Sequence, residues 1–179
     1  MNYSVVFYFD DETNKKVKSL IHLIVDKGVN DYLISNKVPP HITIADFECE
    51  DISAVINSLE VNKNKIKQGF VCWASIGVFS PTVLFLAPVV NQFLLQSCEM
   101  VNNSIQVVPK VESNSNYVPY QWIPHTTIAA KLNSKELETA FLVATDNFKA
   151  FGGYLTKLAV IQNKPRTDIK VWNLQEIGK

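Results

Sequence analysis

Two hexapeptides in the sequence are nearly identical, and each contains a histidine followed two residues later by a threonine. Residues 40–45 read PHITIA and residues 124–129 read PHTTIA, so they differ only at the third position. Their histidines, His41 and His125, are two of only three in the 179-residue chain and lie 84 residues apart, close to half its length. This repetition predicts a duplicated half-domain with a pseudo-two-fold axis.

The β-branched composition of both hexapeptides is typical of strands, and strand geometry decides which side chains they present together. Side chains alternate faces along a strand, so His41 and Thr43 share one face, and His125 and Thr127 share the matching face. Along each strand roughly 6.6 Å separates the imidazole from the hydroxyl at the usual rise per residue. The isoleucines point to the opposite face, where we expect them to pack against helices.

Two imidazoles and two hydroxyls that converge across a groove can act on a phosphate. Threonine hydroxyls donate hydrogen bonds to its non-bridging oxygens. An imidazole with its ordinary pKa of about 6.5 takes a proton from an attacking group when neutral and gives one to a leaving oxygen when protonated. We therefore predict that His41 and His125 are the catalytic acid and base, in an order left open, and that Thr43 and Thr127 bind the phosphate.

Less specific interpretations compete with this one. A strand histidine can simply be satisfied by a backbone partner, and threonine is an ordinary strand former. The recurrence of both residues at one spacing favours catalysis. A metal site is not predicted, because Asp46 and Glu48 have the opposite strand parity to His41 and no cluster of His, Cys or carboxylates has metal-ligand spacing. We expect no metal and no cofactor.

Three residues near the second motif are candidates for substrate binding. Tyr120 and Trp122 flank it and could stack on a nucleobase, although aromatic residues beside a strand also serve as lids or as core packing. Lys131 shares strand parity with His125 and could either bind phosphate or form the solvated end of the strand. The remaining histidine, His22, lies beside the apolar stripe of a predicted helix, which indicates a surface position.

The hydrophobic pattern around the motifs predicts an irregular alternation of strands and helices. Strand patterns cover 3–9, 41–47, 70–79, 83–86, 125–131, 155–162 and 169–174, the last two as an antiparallel pair around Pro165. Helical patterns cover 11–27, 51–59, 91–105 and 134–148, and the segment 109–124, rich in Ser, Asn and Pro, indicates a loop. The last helix is expected to begin at Ser134 with hydroxyl capping alone. This order is typical of an α+β fold.

Composition and charge exclude several classes of protein. The 17 cationic residues balance 17 acidic ones and only Arg166 is an arginine, so we expect neither a DNA-binding surface nor an arginine-rich phosphate clamp. The three cysteines lack zinc-site or disulfide-framework spacing, which indicates a reducing compartment. No apolar run reaches the roughly 18 residues of a membrane span, and the first residues do not resemble a signal peptide. We expect a soluble, cytoplasmic protein with a single domain over 1–179.

On the evidence of the two motifs, the sequence resembles the 2H (two-histidine) phosphoesterase superfamily. The paired H-x-T-I elements, their separation and their strand–helix setting are most similar to the LigT-like "2′-5′ RNA ligase family", whose members include RNA 2′,3′-cyclic phosphodiesterases. The resemblance implies a bilobal fold with antiparallel sheets lining a central groove and helices outside. It also implies metal-independent chemistry by His41 and His125, with Thr43 and Thr127 holding the phosphate.

The activity implied by the resemblance is hydrolysis of a cyclic phosphodiester in a small cyclic nucleotide or at an RNA end. Water would attack phosphorus in line, and the same steps with a 5′-hydroxyl as the nucleophile would give ligation. Many LigT-like proteins carry an arginine five residues after the second histidine, where this sequence has Ala130. This difference bears on recognition of an RNA end more than on the core chemistry. Two alternatives stay open, a 2′,5′-oligonucleotide phosphodiesterase and a non-catalytic module that binds a nucleotide or RNA end; the oligomeric state is also open.

Overall fold

The computed structural model describes residues 1–176, which form eight strands and five α-helices in irregular alternation and so confirm the α+β prediction. The strands are β1 (Asn2–Phe9), β2 (Ile42–Cys49), β3 (Gly69–Phe79), β4 (Val83–Pro88), β5 (Val111–Ser113), β6 (Thr126–Ala130), β7 (Phe151–Asn163) and β8 (Arg166–Asn173). The helices are α1 (Asp11–Val25), α2 (Tyr32–Ser35), α3 (Ile52–Asn62), α4 (Gln92–Gln106) and α5 (Ser134–Asn147). The domain predicted over 1–179 ends outside the described residues.

Every predicted strand and long helix is present, with its ends shifted by four residues or fewer. Helix α2 and strand β5, which lies inside the predicted loop, were not predicted, because elements of four and three residues are too short for a hydrophobic period to show. The prediction of hydroxyl capping for α5 is wrong. Asn133 caps this helix, and its side chain and that of Glu136 each accept the other's backbone N–H in a capping box.

The strand order of the sheet is symmetric about its centre. Hydrogen bonds link the strands in the order β5-β2-β1-β7-β3-β4-β6, with β8 on β7, and each of these pairs is antiparallel. Six of these strands form the series β2-β1-β7-β3-β4-β6. Exchanging β1 with β4, β2 with β6 and β3 with β7 gives the same series read from its other end. The order is therefore that of two equivalent halves, as the repeated hexapeptide predicts.

The long strand β7 belongs to both halves. Its residues 151–155 pair with β3, and residues 157–163 pair with β8 farther along the same edge. The opposite edge pairs with β1 over residues 155–162. The antiparallel sheets of the two halves are therefore joined through one strand into a continuous sheet.

The helices pack across the symmetry, so that each half covers the motif strand of the other. Helix α1 contacts β6 and helix α4 contacts β2, while α1 also packs on α5 and α4 on α3. Ile42, Ile44 and Ile128 of the motifs are almost fully buried in the main core, as predicted from the alternation of the strands. Each such side chain contributes about 1.5–3 kcal/mol of hydrophobic stabilisation, which fixes the face on which the histidines and threonines lie.

Candidate active site

Both motif strands carry a β-bulge at the same place. Along β2 the register against β1 shifts between Thr43 and Ala45, and along β6 the register against β4 shifts between Thr127 and Ala129. A bulge adds one residue to one strand and redirects the side chains that follow it. Each histidine–threonine pair therefore ends at a bulge, and the duplication extends to this irregularity of the backbone.

The two motif histidines are held by the same hydrogen bond. Nδ1 of His41 lies 2.7 Å from the carbonyl oxygen of Pro39, and Nδ1 of His125 lies 2.8 Å from the carbonyl oxygen of Ile123. A carbonyl oxygen can only accept, so Nδ1 carries the hydrogen and donates it in both rings. Nε2 is then the nitrogen that accepts a proton in the neutral imidazole and donates one in the imidazolium.

A cleft of about 610 Å³ brings the two motifs together. Its lining includes His41 from the first motif and Thr127 from the second. His125 lines a second cavity of about 350 Å³, and Thr43 belongs to neither lining. The positive charge of His125 is one of the causes that lower the pKa of His41, so the two imidazoles lie within electrostatic range of each other.

Burial and charge make His41 hard to protonate. Burial and, to a smaller extent, the guanidinium of Arg166 together lower its pKa to about 4, while the carbonyl of Pro39 and the carboxylate of Asp168 act in the opposite direction. Burial also lowers the pKa of His125, opposed by the carbonyl of Ile123. Without a ligand, both imidazoles are therefore biased towards the neutral form.

A polar cluster beside His41 was missed by the sequence analysis. Arg166, the first residue of β8, lines the cleft, and its Nη2 donates to the hydroxyl of Tyr8 at 3.1 Å. That hydroxyl donates in turn to Oδ1 of Asp168 at 2.6 Å. The sequence predicted no arginine-rich phosphate clamp and gave this single arginine no role in the site. The feature of the sequence that could have drawn attention to Arg166 is that it is the only arginine among 17 cationic residues.

The turn that carries Arg166 is anchored to the first motif strand. Asn163, at the end of β7, donates through its carboxamide to Oδ2 of Asp46 at 3.0 Å and to Oγ of Ser4 at 2.9 Å. The hydroxyl of Ser4 also donates to Asp46, at 2.8 Å. Asn163 and the next three residues, 164–166, all line the cleft. Asp46, three residues beyond Thr43, thus acts as an acceptor that fixes the position of this turn.

The surroundings of His125 are aromatic. Its ring lies edge-on to Phe79, with centroids 4.9 Å apart and planes at 83°. Phe85 and Tyr117 lie at centroid distances of 5.3 Å and 6.3 Å. Phe79, Tyr117 and Ile123 line the 350 Å³ cavity together with His125. These rings exclude water from one side of the imidazole, which accounts for the burial that lowers its pKa.

Tyr120 and Trp122 do not line the cleft. Tyr120 is 89% exposed, and its hydroxyl donates to Oε1 of Glu99 at 2.7 Å. Trp122 is buried in the main core, and its indole N–H donates to the carbonyl oxygen of Thr43 at 2.9 Å. Trp122 thus takes the core-packing role that the sequence left open and supports the backbone of the first motif.

Lys131 lies one residue past the end of β6, in the left-handed region with φ at 61°. The prediction that it shares strand parity with His125 is wrong, because the strand ends at Ala130 and the bulge breaks the alternation before that. Its ammonium lies 6.0 Å from the ring centroid of Tyr32, a residue of the cleft wall. His22 is exposed on α1, as predicted.

Comparison with known proteins identifies the fold. No protein-family model matches the sequence, and no curated protein matches it. E. coli LigT complexed with 3′-AMP superposes with a TM-score of 0.58 at 12% identity, over 98% of each chain. Usb1 of Kluyveromyces marxianus gives a TM-score of 0.53 at 10% identity, over 97% of each chain. The chain has a LigT-like fold. The fold expected from the resemblance to 2H phosphoesterases is therefore confirmed, and the chemistry has to be argued from this chain's own residues.

Two further findings concern the LigT-like fold within residues 1–176. No helix in this range is long and apolar enough to cross a membrane. The same residues include no group of three or more His, Cys, Asp or Glu side chains placed to hold a metal ion.

Proposed function

We propose that this chain is a 2H phosphoesterase that hydrolyses the 2′,3′-cyclic phosphate of a nucleotide or RNA end without a metal ion. One observation carries the proposal. His41 of the first motif and Thr127 of the second line a single cleft, and each motif histidine is held through Nδ1 so that Nε2 can exchange a proton. An acid, a base and a hydroxyl donor are the groups that phosphodiester hydrolysis needs.

The two histidines divide the work according to their neighbours. Arg166 beside His41 disfavours the imidazolium there, so His41 is the base and its Nε2 takes a proton from the attacking water. The water oxygen forms a bond to phosphorus, and the bond from phosphorus to one ribose oxygen breaks. His125, which enters protonated, gives its Nε2 proton to that oxygen. The product is a nucleotide with a 2′- or 3′-phosphate, according to which bond breaks.

Thr43 and Thr127 are proposed to hold the phosphate during this exchange. Their hydroxyls would donate to the non-bridging oxygens, which carry the charge of the transition state. The negative charge of a bound phosphate also raises the pKa of both histidines, so the substrate itself favours protonation of His125. The same attack on the cyclic phosphate, with a 5′-hydroxyl in place of water, would join two RNA ends.

The solved structures of the same fold support a ligand that carries phosphate. E. coli LigT has been solved with 3′-AMP bound, and also with phosphate bound at a TM-score of 0.51 to this chain and 12% identity. A 3′-monophosphate is the product expected when a 2′,3′-cyclic phosphate opens at its 2′-oxygen. We extend this class of ligand to the present cleft.

The test is a substrate panel in the presence of EDTA. The panel contains 2′,3′-cyclic mononucleotides, RNA with a cyclic end and 2′,5′-linked dinucleotides, with 2′- and 3′-phosphate products resolved. We expect hydrolysis of cyclic phosphates, undiminished by EDTA and lost in His41→Asn. Cleavage of the 2′,5′-linked dinucleotides alone would move the assignment to a 2′,5′-phosphodiesterase. Ligand-induced stabilisation with no product from any substrate would make the chain a binding module, and activity restored only by a divalent ion would contradict the mechanism.

A further inference from the structure

The cleft has a cationic wall that the two motifs do not supply. We propose that Arg166 and Lys164 form a second anion subsite, which binds a phosphate of the substrate other than the one under attack. The inference deepens the proposed function by naming the substrate class, a nucleotide with two phosphates such as an oligonucleotide end. Both residues line the cleft together with His41 and Thr127, from the turn between β7 and β8.

The guanidinium of Arg166 is held in place but keeps most of its hydrogen-bonding capacity. One of its nitrogens donates to the Tyr8 hydroxyl, and arginine has five N–H donors in a planar fork that matches phosphate. Tyr8 is itself buried and fixed by its bond to Asp168. Among the described residues no carboxylate forms an ion pair with Arg166. The charge is therefore oriented by a neutral hydroxyl and available to an anion.

The position of this wall relative to the motif is fixed. Asn163 ties the start of the turn to Asp46 and Ser4, and Tyr8 ties its end to β1. Both anchors lie on strands next to the catalytic histidine, because β1 pairs with β2. A rigid turn of this kind sets a defined distance between two anion sites, which is the geometry needed to select a ligand with two phosphates.

Volume and charge favour a second phosphate over a single one. A cleft of about 610 Å³ is within the range of sites that enclose whole small ligands, far larger than one phosphate needs. The chain has no net charge, so two cations on one cleft wall are a local feature rather than a consequence of a basic surface. The hydroxyls of the motifs already serve the reacting phosphate in the proposed mechanism. The cationic wall is then available to the phosphate on the other side of the nucleoside.

The experiment compares the binding of two adenosine ligands by calorimetry. 3′-AMP has one phosphate, and adenosine 3′,5′-bisphosphate has a second in the place of the next RNA linkage. We expect wild type to bind the bisphosphate about 10-fold tighter, the value of one charge-assisted hydrogen-bonded contact. Arg166→Gln should bring this ratio close to 1, and Tyr8→Phe should lower it part of the way. Lys170→Gln, which removes an exposed cation of β8 outside the cleft lining, should keep it.

Binding needs no turnover, so this test stands apart from the test of hydrolysis. Equal losses for both ligands in Arg166→Gln would mean that Arg166 contacts the attacked phosphate and would overturn the subsite. Wild type with no preference, or with no binding of either ligand, would overturn it as well. Arg166→Lys keeps a positive charge and guards against a folding artefact. It should retain part of the preference with an unchanged melting temperature, and complete loss of the preference there would count against a charge-based subsite.

Discussion

His41 and His125 occupy equivalent places in the two halves of the molecule, yet their neighbours differ in kind. Both are held through Nδ1 by a carbonyl two residues earlier, and both precede a threonine and a bulge. Beside His41 stands a guanidinium bonded to a tyrosine, and around His125 stand three aromatic rings. The backbone has kept the symmetry of the duplication while the side chains have lost it.

The divergence arises on the strands next to the motifs. The residue paired with Thr43 is Val6, and the residue paired with Thr127 is Phe85. A small aliphatic side chain on β1 leaves room for the cluster around Tyr8, whereas a ring on β4 packs against the second imidazole. Two equal histidines thereby acquire unequal environments, and an acid–base pair needs that inequality, because one member must be neutral while the other is charged.

The largest expected effect comes from removing either histidine. His41→Ala and His125→Ala should each lower kcat by roughly 10²–10⁴, the usual contribution of a positioned acid or base. The double variant should lose less than the product of the two, because both groups serve one transition state. His22→Ala, on an exposed position of α1, is the matched control and should leave kcat unchanged. Near wild-type turnover in either motif variant would refute the two-histidine mechanism.

The next effect is on stability at low pH and separates the two halves directly. The folded-state pKa of His41 is depressed to about 4, so the unfolded chain binds its proton first as the pH falls. Protonation of His41 therefore leaves the free energy of unfolding unchanged above about pH 6.5. Between that pH and pH 4 it lowers the free energy of unfolding by about 3 kcal/mol. The difference in unfolding free energy between wild type and His41→Asn should change by that amount between pH 7 and pH 4. His125→Asn should show a smaller change, and equal changes for both motif variants would contradict the difference between the two halves.

The threonines should give a smaller loss. Thr43→Val and Thr127→Val keep the β-branched shape and remove a hydroxyl, which should weaken phosphate binding by up to roughly 10-fold. Thr127 lines the cleft and Thr43 does not, so the loss should be the greater for Thr127→Val. The control is Thr126→Val, whose hydroxyl accepts from the indole of Trp73 at 3.0 Å. It should cost about 1 kcal/mol of stability and leave phosphate binding per folded molecule intact. A control that loses phosphate binding as the other two variants do would mean that the effect is structural.

The smallest expected effect concerns the aromatic surroundings of His125. Phe79→Ala removes the ring that lies edge-on to the imidazole and admits water there, so the pKa of His125 should rise towards its ordinary value. Histidine ring protons followed by NMR report each residue's own titration, which the limbs of a pH–rate profile do not. Phe70→Ala, on the same strand but in contact with Tyr154, should leave the titration where it was. A fall in the pKa of His125 in Phe79→Ala would show that the ring acts by something other than excluding water.

The sequence alone was sufficient to predict the features that depend on residues close to one another along the chain. The alternation of the motifs placed their isoleucines in the core. The repeat predicted that both histidines and both threonines converge, and His41 and Thr127 line one cleft while His125 lines a separate cavity. Arg166 was out of reach, because it arrives at the cleft from the far end of the chain through the pairing of β8 with β7. No local pattern encodes that neighbour. The bulge was hidden as well, since the extra residue in each motif is an isoleucine that reads like any other strand residue.

The double membership of β7 also constrains how the molecule is assembled during translation. This strand is synthesised after every other strand except β8, and until it leaves the ribosome β1 and β3 each lack a neighbour. Helix α1, which packs on the motif strand of the other half, lacks that partner until β6 has been made. Strands this far apart in the sequence lose the entropy of loop closure before their pairing stabilises them, so they pair slowly. The nascent chain therefore has unpaired strand edges during most of its synthesis. Such edges are prone to aggregate unless chaperones bind them.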